Sequence, residues 1–455
     1  MDRENLKENK MGVLPEGRLL AGMAIPMMFS MLAQAFYNVV DSVFVARVSQ
    51  DALNAVSLAF PLQNLMIAFG GGIAVGMNAL LSRSLGEKNY DMANRSANTA
   101  VFLTLIITAV FMLIGAFLSR PFFLAQTKET QLVEYGTQYA TICLVGSVGI
   151  FSQFCFERML QSTGKTHLAM ITQVIGAVIN IIFDPILIFG LFGFPRLEVA
   201  GAAIATIAGQ IVAAAVAVIM NIKKNHEIKL SLSKIRWDGE VAMRIFKVGF
   251  PSMLMQSVGS VMTFTLNQIL LSFTKTATLV FGAYFKLQSF IFMPVFGLNN
   301  GMVPIVAYNY GAKQEKRVKK TIFLTIITAV CIMALGALTF ELFPETLLGF
   351  FDADSEMLRV GVPALRIIAT HFVIAGFCII AGSVCQAIGN PFHSLIISIC
   401  RQLVVLLPAA WLLSRTGRLE LVWLAFPIAE TASLIMSSFF LRKTLRTASA
   451  EMNEK

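Results

Sequence analysis

The sequence predicts an all-α membrane protein: twelve transmembrane helices in two parallel six-helix repeats around a central cavity. Three observations carry this reading. Apolar residues make up 56% of the 455 positions and charged residues only 14%, against about 25% charged in soluble domains. A soluble fold has too little interior for so much apolar side chain, because most of a globular surface meets water. The apolar residues also fall into runs of the length needed to cross hydrocarbon, about 20 residues. Finally, the second half of the chain repeats the first.

Taken in order, the first six runs lie at about 19–46, 52–81, 97–118, 135–157, 168–191 and 199–221. The second six lie at about 243–272, 278–308, 321–342, 361–385, 394–413 and 420–441. The longest polar stretch, NIKKNHEIKLSLSKIRWDGE, separates them. This gives an N-terminal lobe at 1–222, a cytoplasmic linker at 223–239 and a C-terminal lobe at 240–455. The repeat is visible at a nearly constant spacing, which slips around IITAV (106–110 and 326–330) and then recovers. Pro26 meets Pro251, Gln63 meets Gln288, Gly72 meets Gly297 and Gly76 meets Gly301. Gly136 meets Gly361, Gln161 meets Gln386 and Gly164 meets Gly389. Six spans per repeat is an even number, so both repeats enter from the same side. Two such lobes related by an axis along the membrane normal suit rocking between inward-open and outward-open states.

The net charge of +10 is read as membrane orientation. With the N-terminus cytoplasmic, most basic residues fall in inside segments, among them Lys223, Lys224, Lys313, Arg317, Lys319, Lys320, Arg442 and Lys443. That bias places both termini in the cytoplasm. The opening MDRENLKENKMGVLPEGR lacks the short apolar core and cleavage site of a signal peptide, so the first span is expected to direct insertion. No nucleic-acid-binding signature is visible. The six cysteines lie in apolar runs without metal spacing and are read as small buried residues.

Polar residues inside the spans carry the chemistry. An ionisable group near the bilayer centre costs about 2.5–3.5 kcal/mol or more on insertion scales. The first span carries Gln34, Tyr37, Asn38 and Asp41 at i, i+3, i+4 and i+7, which is one helical face. The fifth carries Gln173, Asn180 and Asp184 on one face, with Pro185 freeing backbone carbonyls beside the acid. Two carboxylates from two helices of one lobe, flanked by amides and Tyr139, point to a proton or sodium site. A proton, a sodium ion or a cationic substrate would each relieve the same repulsion, and competition among them makes an exchanger. For sodium, the expected ligands are Asp41, Asn180 and Asp184.

The acids do not repeat, since Leu266 and Ala409 stand where the spacing would put them. The matching face of the seventh span is polar but neutral: Gln256, Ser260, Thr263 and Asn267. Gln34, Tyr37, Asn38, Gln256, Thr263, Asn267 and the mid-helix Lys286 are the candidate substrate contacts. Lys286, Arg401 and Glu430 are expected to pair with one another as a buried salt-bridge network. Glu157 and Arg158 lie near a helix end, where snorkelling would suffice. Pro26 is a candidate hinge, coupled to the charge state of Asp41 fifteen residues, roughly 22 Å, further along the helix.

These features together resemble the MATE (multidrug and toxic compound extrusion) transporters over nearly the whole chain. The resemblance rests on IPMMFSMLAQAFYNVVDSVFVAR, AFPLQNLMIAFGGGIAVGMNALLSRSLGEKN and INIIFDPILIFGLFGFPRLEVAGAAIAT in the first half. In the second half it rests on GFPSMLMQSV, GLNNGMVPIVAYNYGAK and CQAIGNP. It implies export of cationic, amphipathic drugs or toxins from the cell inner (plasma) membrane, driven by inward flow of protons or sodium. Asp41 matches the acid on the first helix of the DinF-like branch, and Asn180 and Asp184 match its Asn-x-x-x-Asp on the fifth. Tyr139 and Thr206 fall where that branch has polar partners, and Glu157 where some members carry an amide. A different branch places acids on helices seven and ten, where this chain has none. The expected protein is a monomer with no cofactor beyond the transported ion. The alternative is a flippase for a lipid-linked precursor. An enzyme is disfavoured because neither H-E-x-x-H nor G-x-S-x-G occurs, and ATP-driven transport because no phosphate-binding loop occurs.

Overall fold

The computed structural model describes residues 9–351 and 353–453. It is helical throughout, with no strand among the described residues. Nine helices there are long and apolar enough to cross a membrane: Glu16–Ala46, Gln50–Gly86, Tyr90–Gln126, Thr166–Phe189, Glu198–Lys224, Lys275–Gly311, Glu315–Leu342, Pro391–Ser414 and Leu419–Asn453. Two more spans are bent pairs, Thr130–Val145 with Val148–Ser162 at 42° and Ser355–Ala369 with Phe372–Ile388 at 49°. The twelfth, Gly239–Leu271, has 33 residues, about 50 Å at 1.5 Å per residue. It is too polar to qualify on composition, because Gln256, Ser257, Ser260, Thr263, Asn267 and Gln268 interrupt it. In chain order the bent pairs are the fourth and tenth spans and Gly239–Leu271 is the seventh.

The helix ends explain several of the repeated residues. Gly164 (φ 80°) and Gly389 (φ 98°) both hold the left-handed backbone that a side chain disfavours. Each follows the second half of a bent span and closes it in the same way. Lys165 N donates to Leu160 O (2.8 Å) after one, and Asn390 N donates to Cys385 O (2.7 Å) after the other, satisfying carbonyls that the helix end leaves open.

By internal contacts the chain forms two compact units. One is Met1–Lys10 with Phe29–Met253, and the other is Met11–Met28 with Leu254–Lys455. The sequence division at 223–239 runs through the polar linker. The contact division instead runs through the first and seventh spans, two residues after Pro26 and two after Pro251. Glycine explains where the helix halves belong. In the first unit, a Cβ on Gly76 would come within 2.1 Å of the Ile245 carbonyl oxygen, and one on Gly72 within 2.8 Å of the Gly249 carbonyl oxygen. In the second, a Cβ on Gly301 would come within 2.7 Å of Ala24 Cα, and one on Gly297 within 2.5 Å of Met28 Cα. Glycine lets backbones touch where apolar burial gives lipid-embedded helices no preference. The linker is tied to the third span, since Lys229 N donates to Asn94 Oδ1 (2.7 Å) and Ser231 N to Asn98 Oδ1 (3.2 Å).

The eleventh span is irregular. Cys400–Leu406 is π-helical and Leu407–Ser414 returns to α. Pro408 has no N–H for the carbonyl one turn back, and its ring crowds that carbonyl. A widened turn just before it relieves the clash. Among the cysteines, Cys143, Cys155, Cys378 and Cys385 are buried as expected, but Cys331 is exposed.

Candidate cation-coupling site

The first unit gathers the polar residues of spans one, two, four, five and six. The fifth span supplies the centre. Asp184 is fully buried and Asn180 nearly so. Their spacing of one turn lets the Asn180 amide Nδ2 donate to Asp184 Oδ1 (3.3 Å), and it also donates to Thr206 Oγ1 on the sixth span (3.4 Å). This fixes the amide with its carbonyl pointing away. Among the described residues Asn180 Oδ1 and Asp184 Oδ2 then have no hydrogen-bond partner, and neither does Asp41 Oδ1 on the first span. Asp41 and Asp184 lie within each other's electrostatic reach.

Around this centre the amides are spent on one another. Gln63 Nε2 donates to the Tyr139 hydroxyl (2.9 Å), and Gln173 Nε2 donates to Gln34 Oε1 (2.9 Å), joining the fifth span to the first. Tyr139 is buried and stands near Asp41. Tyr37 is half-buried, within the fields of Asp41, Glu157 and Asp184. Asn38 is exposed, and only its backbone carbonyl is engaged, by Ser42 Oγ (2.9 Å).

A buried acceptor oxygen with no donor costs about 1–3 kcal/mol, and more when it is charged. Each of the three unpartnered oxygens, two of them on carboxylates, would be satisfied by something positively charged. A proton does so by turning one carboxylate oxygen into a donor. A small hard cation does so through oxygen ligands of the kind present here.

The structure corrects one reading. Glu157 does not snorkel to a helix end. It is 5% exposed, and its Oε1 accepts from Gln153 Nε2 (3.0 Å) and Thr172 Oγ1 (3.0 Å). Depth along a helix is legible in sequence, but the direction of the side chain is not. Gln63 is the residue the site adds, and its pairing with Gln288 in the repeat was its only signal. The remaining candidates lie in the second unit. Thr263 Oγ1 donates to the Gly259 carbonyl (2.9 Å), so that hydroxyl is engaged within its own helix. Gln256 is exposed and Asn267 half-buried. Lys286 is exposed, with Nζ 6.0 Å from the Phe351 ring. Of the expected salt-bridge trio, Arg401 and Glu430 meet, at 3.4 Å.

The family model for MatE matches two segments, residues 26–186 and 251–412, which begin at the paired prolines Pro26 and Pro251. The chain belongs to the MatE family. It is 27% identical to the FAD transporter of Shewanella oneidensis, over 91% of this chain and 92% of that one. It is 26% identical to the multidrug export protein MepA of Staphylococcus saprophyticus, over 99% and 100%. Among solved structures, the outward-facing conformation of a multidrug resistance MATE family transporter superposes with a TM-score of 0.92 at 24% identity, covering 98% of this chain and 100% of that one. This MatE protein therefore shares the fold of that family across both repeats, and it is a multi-pass membrane protein.

Proposed function

We propose that the protein is a secondary active multidrug efflux transporter. It exports cationic or amphipathic compounds by alternating access in exchange for protons or sodium, and it is not an enzyme. Family membership and the curated exporters of similar length support the transport activity. The observation that carries the coupling is the unpartnered trio Asp41 Oδ1, Asn180 Oδ1 and Asp184 Oδ2, with the two acids close enough to repel. Asp41 and Asp184 exchange the ion. Asn180, held by Thr206, supplies a neutral oxygen, and Tyr139, oriented by Gln63, borders the site. Should the ion be sodium, Asp41, Asn180 and Asp184 are its ligands. Gln34, Tyr37 and Asn38 meet the substrate from the first unit, and Gln256, Thr263, Asn267 and Lys286 from the second. Pro26 is the hinge of the first span. The protein acts as a monomer in the plasma membrane with both termini in the cytoplasm.

The test is dye efflux from proteoliposomes under separate proton and sodium gradients. Gradient-driven efflux is expected from the native chain under one of the two. Asp41→Asn and Asp184→Asn should each reduce it to the level of protein-free vesicles while the protein still inserts. Full coupling in either variant would remove that residue from the mechanism. A tag on either terminus that is reachable only from outside would overturn the topology.

A further inference from the structure

The second unit buries a carboxylate that the proposed mechanism does not use. Glu430, on the twelfth span, is 4% exposed. One of its oxygens, Oε2, meets Arg401 Nη1 at 3.4 Å, a long contact to a single guanidinium nitrogen. The other, Oε1, has no hydrogen-bond partner among the described residues. Along the same face of the helix, at i+3 and i+7, lie Ser433 and Ser437. Both are buried, and neither hydroxyl has a partner. This is unlike Thr431 on the same helix, whose hydroxyl donates to the Pro427 carbonyl (2.7 Å).

The groups around Glu430 come from every helix packed on it. The eighth span presents the buried Tyr284, which feels both Glu430 and Arg401. The tenth presents His371, at the break between its two halves, and Cys378, whose thiol lies beside Glu430, Ser433 and Ser437. His371 is not available as a partner. Its Nδ1 contacts the Ile368 carbonyl and its ring stacks on Phe426. The eleventh span presents Arg401, which sits in the π-helical stretch Cys400–Leu406. Its side chain is 29% exposed, against 5% for Glu430, so the pair opens to its surroundings on the arginine side. A π-turn is a rare local irregularity that recurs at functional sites. A lone charge at this depth is costly unless it is paired or used. Here the pairing is loose and half of the carboxylate is unclaimed.

We propose that Glu430 is a second proton-exchanging carboxylate, in the lobe opposite the Asp41–Asp184 site, with Arg401 as its separable counter-ion. The proton enters from the Arg401 side, the more exposed side of the pair, and adds to the carboxylate to give the neutral acid. The ion pair is thereby dissolved, and the guanidinium keeps its charge. The Ser433 and Ser437 hydroxyls stand on the same helical face, with no hydrogen bond to the carboxylate in this state. At the repeat spacing Glu430 corresponds to Ala205, next to Thr206 of the first-lobe site, so the repeat itself does not supply the acid. The inference rests on the reading of the protein as an ion-driven exporter, but its test does not depend on transport.

The full-length chain in lipid nanodiscs, without substrate, is examined by infrared difference spectroscopy between acidic and alkaline buffer. The readout is the carbonyl stretch of buried protonated carboxyl groups. Asp41→Asn/Asp184→Asn is the starting background, so failure of the first-lobe site leaves the result intact. In that background a carbonyl signal is expected to remain, and Glu430→Gln should remove a distinct component of it. A spectrum unchanged by Glu430→Gln overturns the proposal. If that variant fails to fold, Arg401→Gln and Arg401→Lys decide. Loss of the counter-charge in Arg401→Gln should make the signal persist into more alkaline buffer, and Arg401→Lys should restore the native profile. A signal indifferent to both substitutions also overturns the proposal.

Discussion

The two halves of this protein share a backbone and differ in chemistry. Each has a bent fourth helix closed by a left-handed glycine, Gly164 in one and Gly389 in the other. Each has a glycine pair on its second helix that admits another backbone, Gly72 and Gly76 in one, Gly297 and Gly301 in the other. Each has a basic residue early in its third helix that grips an acid at the start of a long span. Arg95 meets Glu240 at 3.1 Å, and Lys320 meets Glu16 at 3.0 Å. The acids inside the membrane follow no such rule. Asp41, Glu157 and Asp184 have no acidic counterparts, and Glu430 has none in the first half. Duplication preserved what the backbone needs in lipid, where each helix must satisfy its own hydrogen bonds. It left the side-chain chemistry free to diverge between the lobes.

The largest expected effect breaks this comparison at the acids. Asp184→Asn should abolish ion-driven efflux. Thr263→Ala, on the neutral face of the seventh span, should leave the driving ion in use and change only substrate affinity, as a substrate contact in the lobe without the ion site would. Efflux rates against substrate concentration under the driving gradient separate the two outcomes. Equal loss of coupling in both variants would show that the lobes share the ion site.

The glycines test the shared part. A methyl group at Gly76 meets a backbone carbonyl at 2.1 Å, and one at Gly301 meets a backbone carbon at 2.7 Å. No side-chain rotation relieves either contact. Gly76→Ala and Gly301→Ala should each destabilise by about 1–3 kcal/mol, the usual cost of overpacking, with Gly76→Ala the worse. Thermal unfolding of the purified protein in detergent measures both. Unchanged midpoints would mean that the helices separate more readily than their packing suggests.

Much of this was legible in the sequence because lipid leaves few choices. A span must be long and apolar, so all twelve runs stand out in the sequence, the seventh at 243–272 among them. The glycine pairs were visible as matches, but their partners were not. Nothing in the apolar runs says that Met11–Met28 packs with the second repeat, since the lipid-facing and helix-facing sides of such a run look alike. Asp41, Asn180 and Asp184 announced themselves because polar groups at that depth are rare. Glu157 was misread because its position near a helix end allowed two directions for the side chain. The split of Arg401 and Glu430 from Lys286 needed coordinates, since three isolated charges on three helices pair in more ways than spacing can decide.

The grips at the span starts give the smaller effects, and they differ between halves through burial. Glu16 and Arg317 are only 14% and 16% exposed, and Arg317 also donates to the carbonyls of Leu14 (2.6 Å) and Met11 (3.1 Å). Glu16 also meets Lys320, whose side chain is 61% exposed, at 3.0 Å, and Arg317 at 3.7 Å. Glu16→Gln should therefore cost about 1 kcal/mol, with the Arg317 part less sensitive to salt than an exposed pair. In the first half, Arg95 and Asp238 meet at 2.8 Å with side chains 38% and 22% exposed. Asp238→Asn should therefore cost less than about 1 kcal/mol and fade as salt rises. The Arg95 guanidinium holds the Asp238 carboxyl below its ordinary value. The folded state thus binds that proton less readily than the unfolded chain does. The pair's contribution is full above the ordinary range near pH 4 and is lost as the pH falls through the depressed folded value. Unfolding midpoints at two salt concentrations and at neutral and acidic pH measure this. A salt-insensitive Asp238→Asn would mean that the first half buries its grip as the second does.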